Sequence, residues 1–223
     1  MCNAYGITFA ALNFRKDEIQ NKKIIEVGSR DVNGSVRALL ESYDPKKYIG
    51  VDFTMGPSVD IVCDAENLLN VFESNSFDVV ISTEMLEHVQ NWKKVVSNFK
   101  RLTAPGGLLY ISSRSKGFPY HAYPFDFWRY ETEDIREIFS DCTVSMLEKD
   151  PEIGFFAKIK KPIHFEEKDL SSYELYSIIS DRRVRELNLI EFNNFLKVQE
   201  KFRRLQAIKA KINPFNWVPL IAQ

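Results

Sequence analysis

The stretch Ile24-Ile25-Glu26-Val27-Gly28-Ser29-Arg30 decides the fold. Its first four residues form a short, mostly apolar run of the kind expected for a buried strand, and Gly28 ends it. Just downstream, Asn33-Gly34-Ser35 carries turn chemistry, and Val32–Leu40 then reads as helical. The same unit recurs along the chain. Tyr48–Val51 is expected as a second strand ending at Asp52, Val59–Cys63 as a third ending at Asp64, and Phe77–Ser82 as a fourth. Trp92–Leu102 places Trp92, Val95, Val96, Phe99 and Leu102 at helical spacing. Pro105-Gly106-Gly107 reads as a turn before a fifth strand, Leu108–Ser112. Strands alternating with helices imply parallel β-α-β units with helices on both faces of one sheet.

The chain has 223 residues, of which 44% are hydrophobic and 27% charged, so a packed core is expected rather than disorder. A formal net charge of -1 provides no global field for steering nucleic acid. Three scattered cysteines, Cys2, Cys63 and Cys142, do not make a disulfide framework or a cysteine-based zinc site, and a reducing, cytoplasmic compartment is the default. The N-terminal apolar stretch lacks a basic residue before Arg15, so a secretory signal is not expected. No run is long enough to span a bilayer.

Sheets of this kind bind ligands at the carboxyl ends of their strands. Gly28 permits close approach to the backbone. Asp52 is well placed for the two hydroxyls of a ribose, and Asp64 for an exocyclic amino group such as that of adenine. Acids at consecutive strand ends suit a nucleoside without phosphate, or a cationic ligand.

On these residues, Ile24 to Ser113 resembles the class I S-adenosylmethionine-dependent methyltransferases, in particular the small-molecule UbiE/type 11 group. Glu26, Gly28, Ser29 and Gly34 look like the family's acid and glycine loop, over which the methionine part of the cofactor lies. The resemblance makes Asp52, with Phe53 beside it, the ribose end, and Asp64 and Ala65 the adenine end. FDVVISTEMLEHV (Phe77–Val89) matches the fourth strand and places Thr83 and Glu84 beside the cofactor. Arg30 stands where many members have a second glycine; it either contacts the cofactor carboxylate or points outward. The implied fold is a Rossmann-like αβα sandwich around a mostly parallel seven-stranded sheet. Phe155–Ile159 is its antiparallel closing strand, paired with Thr143–Leu147 through a turn at Asp150-Pro151. Residues 1–162 would form the methyltransferase domain, and residues 163–223 a helical C-terminal extension.

Methyl transfer requires an acceptor atom aligned behind the sulfonium methyl, and a base when that atom carries a proton. His121 is the first candidate base, His88 the second, and Asp126 either orients His121 or acts itself. Lys116–Tyr130 holds seven aromatic residues, and Glu131–Phe139 after it reads as a helix with Thr132 as a plausible cap. Tyr120, Tyr123, Phe127, Trp128 and Tyr130 either cover the acceptor or pack a lid against the sheet, and Arg129 is a candidate for an anionic group on the acceptor. His121, Asp126 and Glu84 have no diagnostic metal spacing, and no metal is expected. The acceptor is expected to be a small molecule, methylated on oxygen or nitrogen. Nucleic acid is disfavoured because Ser82-Thr83-Glu84-Met85 replaces the Asn-Pro-Pro-Tyr-like tetrad of amino-methylating enzymes, and no Pro-Cys pair exists. Two other classes are weighed. A nicotinamide-dependent oxidoreductase requires Gly-x-Gly-x-x-Gly, which the first loop lacks. A non-catalytic cofactor-binding module is the other, and binding without turnover would reveal it.

From Leu170 the chain reads as helix-rich, with one helix or two over Asp181–Lys211, ended by Asn213-Pro214. Phe195, Val198, Phe202 and Leu205 form a seam, and Lys197–Lys211 has six basic residues against one acidic. The seam either forms a homodimer, docks on an anionic surface with Trp217 as anchor, or folds back on its own domain.

Overall fold

The computed structural model describes residues 3–122 and 124–212, with side chains to 208. Tyr123, Asn213-Pro214 and Trp217 lie outside the described residues. The sheet order is β3-β2-β1-β4-β5-β8-β7. Its members are β1 (Lys23–Val27), β2 (Lys47–Asp52), β3 (Ile61–Val62), β4 (Phe77–Thr83), β5 (Thr103–Arg114), β7 (Thr143–Asp150) and β8 (Gly154–Lys160). The strands from β3 to β5 pair in parallel, whereas β8 runs antiparallel to both β5 and β7. The expected Rossmann-like sheet is therefore present, and its antiparallel strand contains Phe155–Ile159.

Strand alternation divides the core. On one face, Ile24, Val79, Ile81, Tyr110 and Phe156 pack with Phe9, Ala10 and Phe14, from α1 (Ala4–Asn13) and the residue after it. Phe9 stacks on Tyr110 at 5.8 Å and on Phe156 at 5.3 Å. The apolar N-terminal segment is thus a core helix, capped by the Asn3 side chain. Ile25, Val80, Leu109 and Ile111 alternate with these positions and are also fully buried. Helix α4 (Trp92–Leu102) contacts β4 and β5, and buries Trp92, Val95, Val96, Phe99 and Leu102, as their spacing requires.

Several local expectations change. α2 is a single turn, Lys16–Ile19. The segment Val32–Leu40, expected to begin as a turn and become helical, turns helical at Arg37, as α3 (Arg37–Glu41). Ahead of it, Asp31 Oδ1 accepts from the Gly34 N–H at 2.9 Å and Ser35 Oγ from the Arg37 N–H at 3.0 Å. These side chains satisfy the backbone locally and hold the segment as a turn. β3 is short because the Gly50 N–H donates to the Asp60 side chain (2.7 Å) instead of extending the ladder. Pro105-Gly106-Gly107 does not precede β5 but bulges within it. Pairing of Phe77 with Thr103 gives way to Val79 with Leu108, and Gly106 takes φ +76°. α5 spans Thr132–Ile138, with Glu131 rather than Thr132 as its N-cap.

The largest change is after Pro162. Residues expected to be helical instead form β9 (Leu175–Ser177) and β10 (Arg182–Val184). With β6 (Trp128–Arg129) they make a second antiparallel sheet, ordered β10-β9-β6. Leu175 and Ser177 are buried on alternate positions, a period-2 signal too short to stand out in sequence. One compact unit runs to Glu186 and another begins at Leu187. The second unit carries α6 (Leu189–Ile212), on which Val198, Phe202 and Leu205 are exposed. Among the described residues no helix is long and apolar enough to cross a membrane.

Candidate active site

The carboxyl ends of β1 and β2 form the first half of the site. Gly28 takes φ +82°, and a Cβ there would lie 2.6 Å from Met85 Cγ, so both backbone and space require glycine. The Gly28 and Ser29 N–H groups both donate to the Val51 carbonyl, at 2.8 and 3.0 Å, locking the loop to β2. Asp52 accepts from the backbone N–H of Arg30 at 3.3 Å and of Thr54 at 3.1 Å. A carboxylate has about four lone-pair sites, so acceptor capacity remains. Phe53 beside it is 65% exposed, leaving an aromatic face available.

Glu26 is buried and accepts from the Tyr48 hydroxyl at 2.9 Å. Burial raises its carboxyl to about 7, with the tyrosine bond pulling the other way. Arg30 lies across Gly56, where a Cβ would fall 2.8 Å from its Nε, and its Nη1 reaches Thr54 Oγ1 at 3.4 Å. Arg30 is exposed and packs on the loop after β2. Gly34 serves the turn described above. Asp64 caps the 3-10 helix Ala65–Asn70 through the Glu66 N–H at 2.8 Å. The Ala65 carbonyl accepts from Asn98 Nδ2 at 2.8 Å.

The segment after β4 joins this half to the second one, because Met85, which packs against Gly28, follows Glu84 directly and precedes Glu87 by two residues. Thr83 is buried and ends the strand. Glu84 adopts φ +49°, unusual for a residue with a side chain. Its N–H donates to the Ser112 carbonyl at 3.0 Å, and its carboxylate accepts from Arg114 Nη2 at 2.6 Å. Burial pushes the Glu84 carboxyl up to about 7; Arg114 opposes the shift, and the nearby Glu87 and Asp150 reinforce it. Arg114 also binds Asp150 at 3.2 Å and lies 4.2 Å over the Phe118 ring. Sequence reading missed Arg114 and Glu87. The only signal for either was position, at the end of β5 and in the turn after β4.

Asp126 organises the second half. It is fully buried and accepts from both terminal nitrogens of Arg129 (2.6 and 2.9 Å), from the His121 N–H (2.8 Å) and from His121 Nδ1 (2.9 Å). Burial opposes its charge, but hydrogen bonds from Arg129 and His121 outweigh that and hold the carboxyl below its usual range. Asp126 is therefore the group that orients His121, not one that meets an acceptor itself. His88 Nδ1 lies 2.6 Å from the Phe125 carbonyl, and the two imidazole rings meet edge to face at 4.7 Å. Glu87 is fully buried and accepts from Ser113 Oγ at 2.7 Å.

Three expected acceptor contacts are corrected. Arg129 is 1% exposed, and besides Asp126 it donates to the carbonyls of Phe118, Pro119 and Trp128. Its donors are engaged inside the fold and do not await an anion. Trp128 and Tyr130 are buried, donate to the carbonyls of Val89 and Leu86, and pack edge-on against Trp92. They support the lid from beneath. Phe127 is buried as well, whereas Tyr120 is half-buried. Of the acids considered as metal ligands with His121, Glu84 is paired with Arg114 and Asp126 with Arg129. The ligand-like atoms that do converge belong to Glu87, His88 and His121.

A glycine-lined loop, acids near the ends of β1 and β2, and His88 and His121 in the segments after β4 and β5 fit the class I S-adenosylmethionine-dependent methyltransferase arrangement that the sequence resembles. The residues fit that cofactor. Gly28 keeps side-chain bulk from the loop, Asp52 retains acceptor capacity, and the buried Ser29 hydroxyl has no hydrogen-bond partner among the described residues. Residues 25–111 match a protein-family model described as a methyltransferase domain. A mitochondrial ubiquinone biosynthesis O-methyltransferase of Dictyostelium discoideum is 38% identical over 53 residues, 24% of this chain and 16% of that protein's length. Among solved structures, the Burkholderia thailandensis 1,6-didemethyltoxoflavin-N1-methyltransferase with bound 1,6-didemethyltoxoflavin and S-adenosylhomocysteine superposes with a TM-score of 0.55. Its identity is 12%, covering 70% of this chain and 78% of that one. A putative methyltransferase in complex with the Haloferax volcanii Trm112 methyltransferase activator gives 0.53 at 14% identity, covering 74% and 97%. At these identities the structural likeness concerns the fold.

Proposed function

We propose that this chain transfers a methyl group from S-adenosylmethionine to an oxygen or nitrogen atom of a small molecule, with His121 as proton acceptor. The observation that supports this most is the buried Arg129–Asp126–His121 relay, set beside the segment that touches the cofactor loop. When bound, the cofactor supplies an electrophilic methyl on a sulfonium. The acceptor atom forms a bond to that carbon, the carbon–sulfur bond breaks, and its electron pair returns to sulfur as a neutral thioether. Asp126 fixes Nδ1 of His121 as the donor, so Nε2 carries the lone pair and takes the proton that the acceptor loses. Glu26, Gly28, Ser29, Gly34, Asp52, Phe53, Asp64, Ala65, Thr83 and Glu84 form the cofactor side. A relative named as a ubiquinone biosynthesis O-methyltransferase, and a structural neighbour named as an N1-methyltransferase of 1,6-didemethyltoxoflavin, support this acceptor class.

The test is a turnover assay on a panel of phenolic, hydroxyl and amine acceptors. His121→Ala should lower turnover about 100- to 10,000-fold, the range for a general base, and leave S-adenosylhomocysteine affinity unchanged. Turnover at the wild-type level would remove His121 from the reaction. Cofactor binding without turnover on any acceptor would favour a non-catalytic module.

A further inference from the structure

We infer that Glu87, His88 and His121 form a binding site for one divalent transition-metal ion of the zinc type, placed where the acceptor's reacting atom would sit.

The argument begins with hydrogen positions. A carbonyl oxygen only accepts, so His88 Nδ1, 2.6 Å from the Phe125 carbonyl, carries the proton. Asp126 is engaged by Arg129, and His121 Nδ1 donates to it at 2.9 Å. Both rings therefore present the lone pair of Nε2. The third member is Glu87 Oε1, on a side chain with 0% exposure. It has no hydrogen-bond partner among the described residues, and neither does the buried His88 Nε2. Glu87 Oε1 lies 3.9 Å from His88 Nε2 and 4.0 Å from His121 Nε2, and the three ligand atoms lie within 4.8 Å of one another. Three acceptors thus converge with no donor among them.

A proton does not resolve this arrangement, because 3.9–4.0 Å is beyond the reach of an N–H···O bond. A cation does. Ligands of a tetrahedral ion with bonds of about 2.0–2.1 Å lie roughly 3.4 Å apart. Each imidazole would then need to move about half an ångström toward Glu87, and the two ring nitrogens, within 4.8 Å of each other, would need to close by up to about 1.4 Å.

The chemistry of the donors selects the ion. Two imidazoles and one carboxylate suit zinc and its neighbours, whereas magnesium and calcium prefer all-oxygen shells. The outer contacts fit as well. Metal-binding histidines usually donate their other ring nitrogen to a carboxylate or a backbone carbonyl, and here one does each. Ser113 holds the remaining Glu87 oxygen at 2.7 Å. The His121 side chain is 28% exposed, so a fourth position is reachable from solvent.

The inference rests on the proposed methyltransferase reading for its consequence. With the ion bound, both Nε2 lone pairs are occupied. The acceptor is then an oxygen nucleophile that takes the fourth position, loses its proton more readily and passes it to solvent. Without the ion, His121 takes that proton itself.

The test is titration of the metal-stripped, tag-free, full-length chain with Co2+, followed by visible absorption and calorimetry, with Zn2+ and Mg2+ as competitors. One equivalent of Co2+ should bind and develop d–d bands without the thiolate charge-transfer band of a cysteine site. Zn2+ should displace it, and millimolar Mg2+ should not. His121→Ala and Glu87→Gln should each weaken binding at least tenfold; the glutamine can keep the Ser113 contact. Asp126→Asn should weaken it about 10- to 100-fold, as expected for an outer-shell partner. Absence of saturable binding, a site unchanged in both His121→Ala and Glu87→Gln, or a preference for Mg2+ would each overturn the inference. Turnover is measured alongside. Metal binding without turnover keeps the ion and removes the methyl-transfer reading. Turnover on a chain that binds no metal does the reverse.

Discussion

The two halves of the site are held in place by opposite means. At the ends of β2 and β3 the acids meet backbone N–H groups a few residues away or in the neighbouring loop. Asp52 takes those of Arg30 and Thr54, and Asp64 takes that of Glu66. At the ends of β4 and β5 the acids meet buried charges or hydroxyls. Glu84 pairs with Arg114, Asp126 with Arg129 and His121, and Glu87 with Ser113. The first half is shaped by local chain geometry and stays accessible at Phe53. The second is shaped by desolvated pairs, in which each charge is tolerated only while its partner is present. The cofactor half should therefore respond to mutation gradually, and the acceptor half abruptly.

Asp126→Ala gives the largest expected effect. It leaves the 1%-exposed Arg129 guanidinium without its counter-charge. Removal of one member of a buried pair costs about 3–5 kcal/mol. Urea denaturation should show a loss of that size, and the variant should lose His121 positioning with it. A loss below about 1 kcal/mol, typical of exposed pairs, would erase the contrast between the halves.

The same contrast explains what could be read from sequence. The order of strands, the helix Trp92–Leu102 and the acids at Asp52 and Asp64 follow from short periodic runs and their end residues, all local signals. Arg114 and Glu87 were invisible because their importance depends on partners 30 and 26 residues away. Arg129 was misjudged although its partner is close in sequence, because burial is a tertiary fact. An arginine in an aromatic stretch looks available for an anion until Asp126, three residues before it, is seen buried on the same guanidinium. Residues 170–186 were read as helical because each strand there has only three residues, and their pairing with Trp128 and Arg129 is a tertiary fact. At Asn33–Ser35 the turn chemistry legible in the sequence is realised by side-chain bonds from Asp31 and Ser35.

Glu26 sharpens the comparison, because it belongs to the cofactor half yet is buried like an acceptor-side acid. Among the described residues its hydrogen-bonding side chain is the neutral Tyr48 hydroxyl, and burial raises its carboxyl from 4.5 to about 7. The folded chain therefore binds this proton more tightly than the unfolded one. The stability it contributes is complete below about 4.5 and is lost as pH rises through about 7. Glu26→Gln cannot ionise and still accepts from Tyr48. It should match the wild type near pH 4–5 and exceed it near pH 8 by on the order of 2–3 kcal/mol. Denaturant titrations at the two pH values measure this. Glu84, raised in the same direction, is present in both proteins, so it drops out of the difference. An equal gap at both pH values would mean that the carboxyl titrates normally and that the cofactor half holds no desolvated charge.

Asp52→Ala completes the comparison at its mildest point. The backbone donors it releases belong to the exposed Arg30 and to Thr54 in the loop after β2, where water can replace the carboxylate. Stability should fall by less than in Asp126→Ala. Affinity for S-adenosylhomocysteine should fall by about 1–3 kcal/mol, the range for a lost hydrogen bond to a charged group, and calorimetry reads it directly. The two aspartates thus separate by readout. Asp126 moves the unfolding curve, and Asp52 moves the binding isotherm. If Asp52→Ala instead unfolded the chain as readily as Asp126→Ala while binding stayed intact, Asp52 would be an internal brace of the β2 loop. The ribose contact would then have to come from a different group at the carboxyl edge of the sheet.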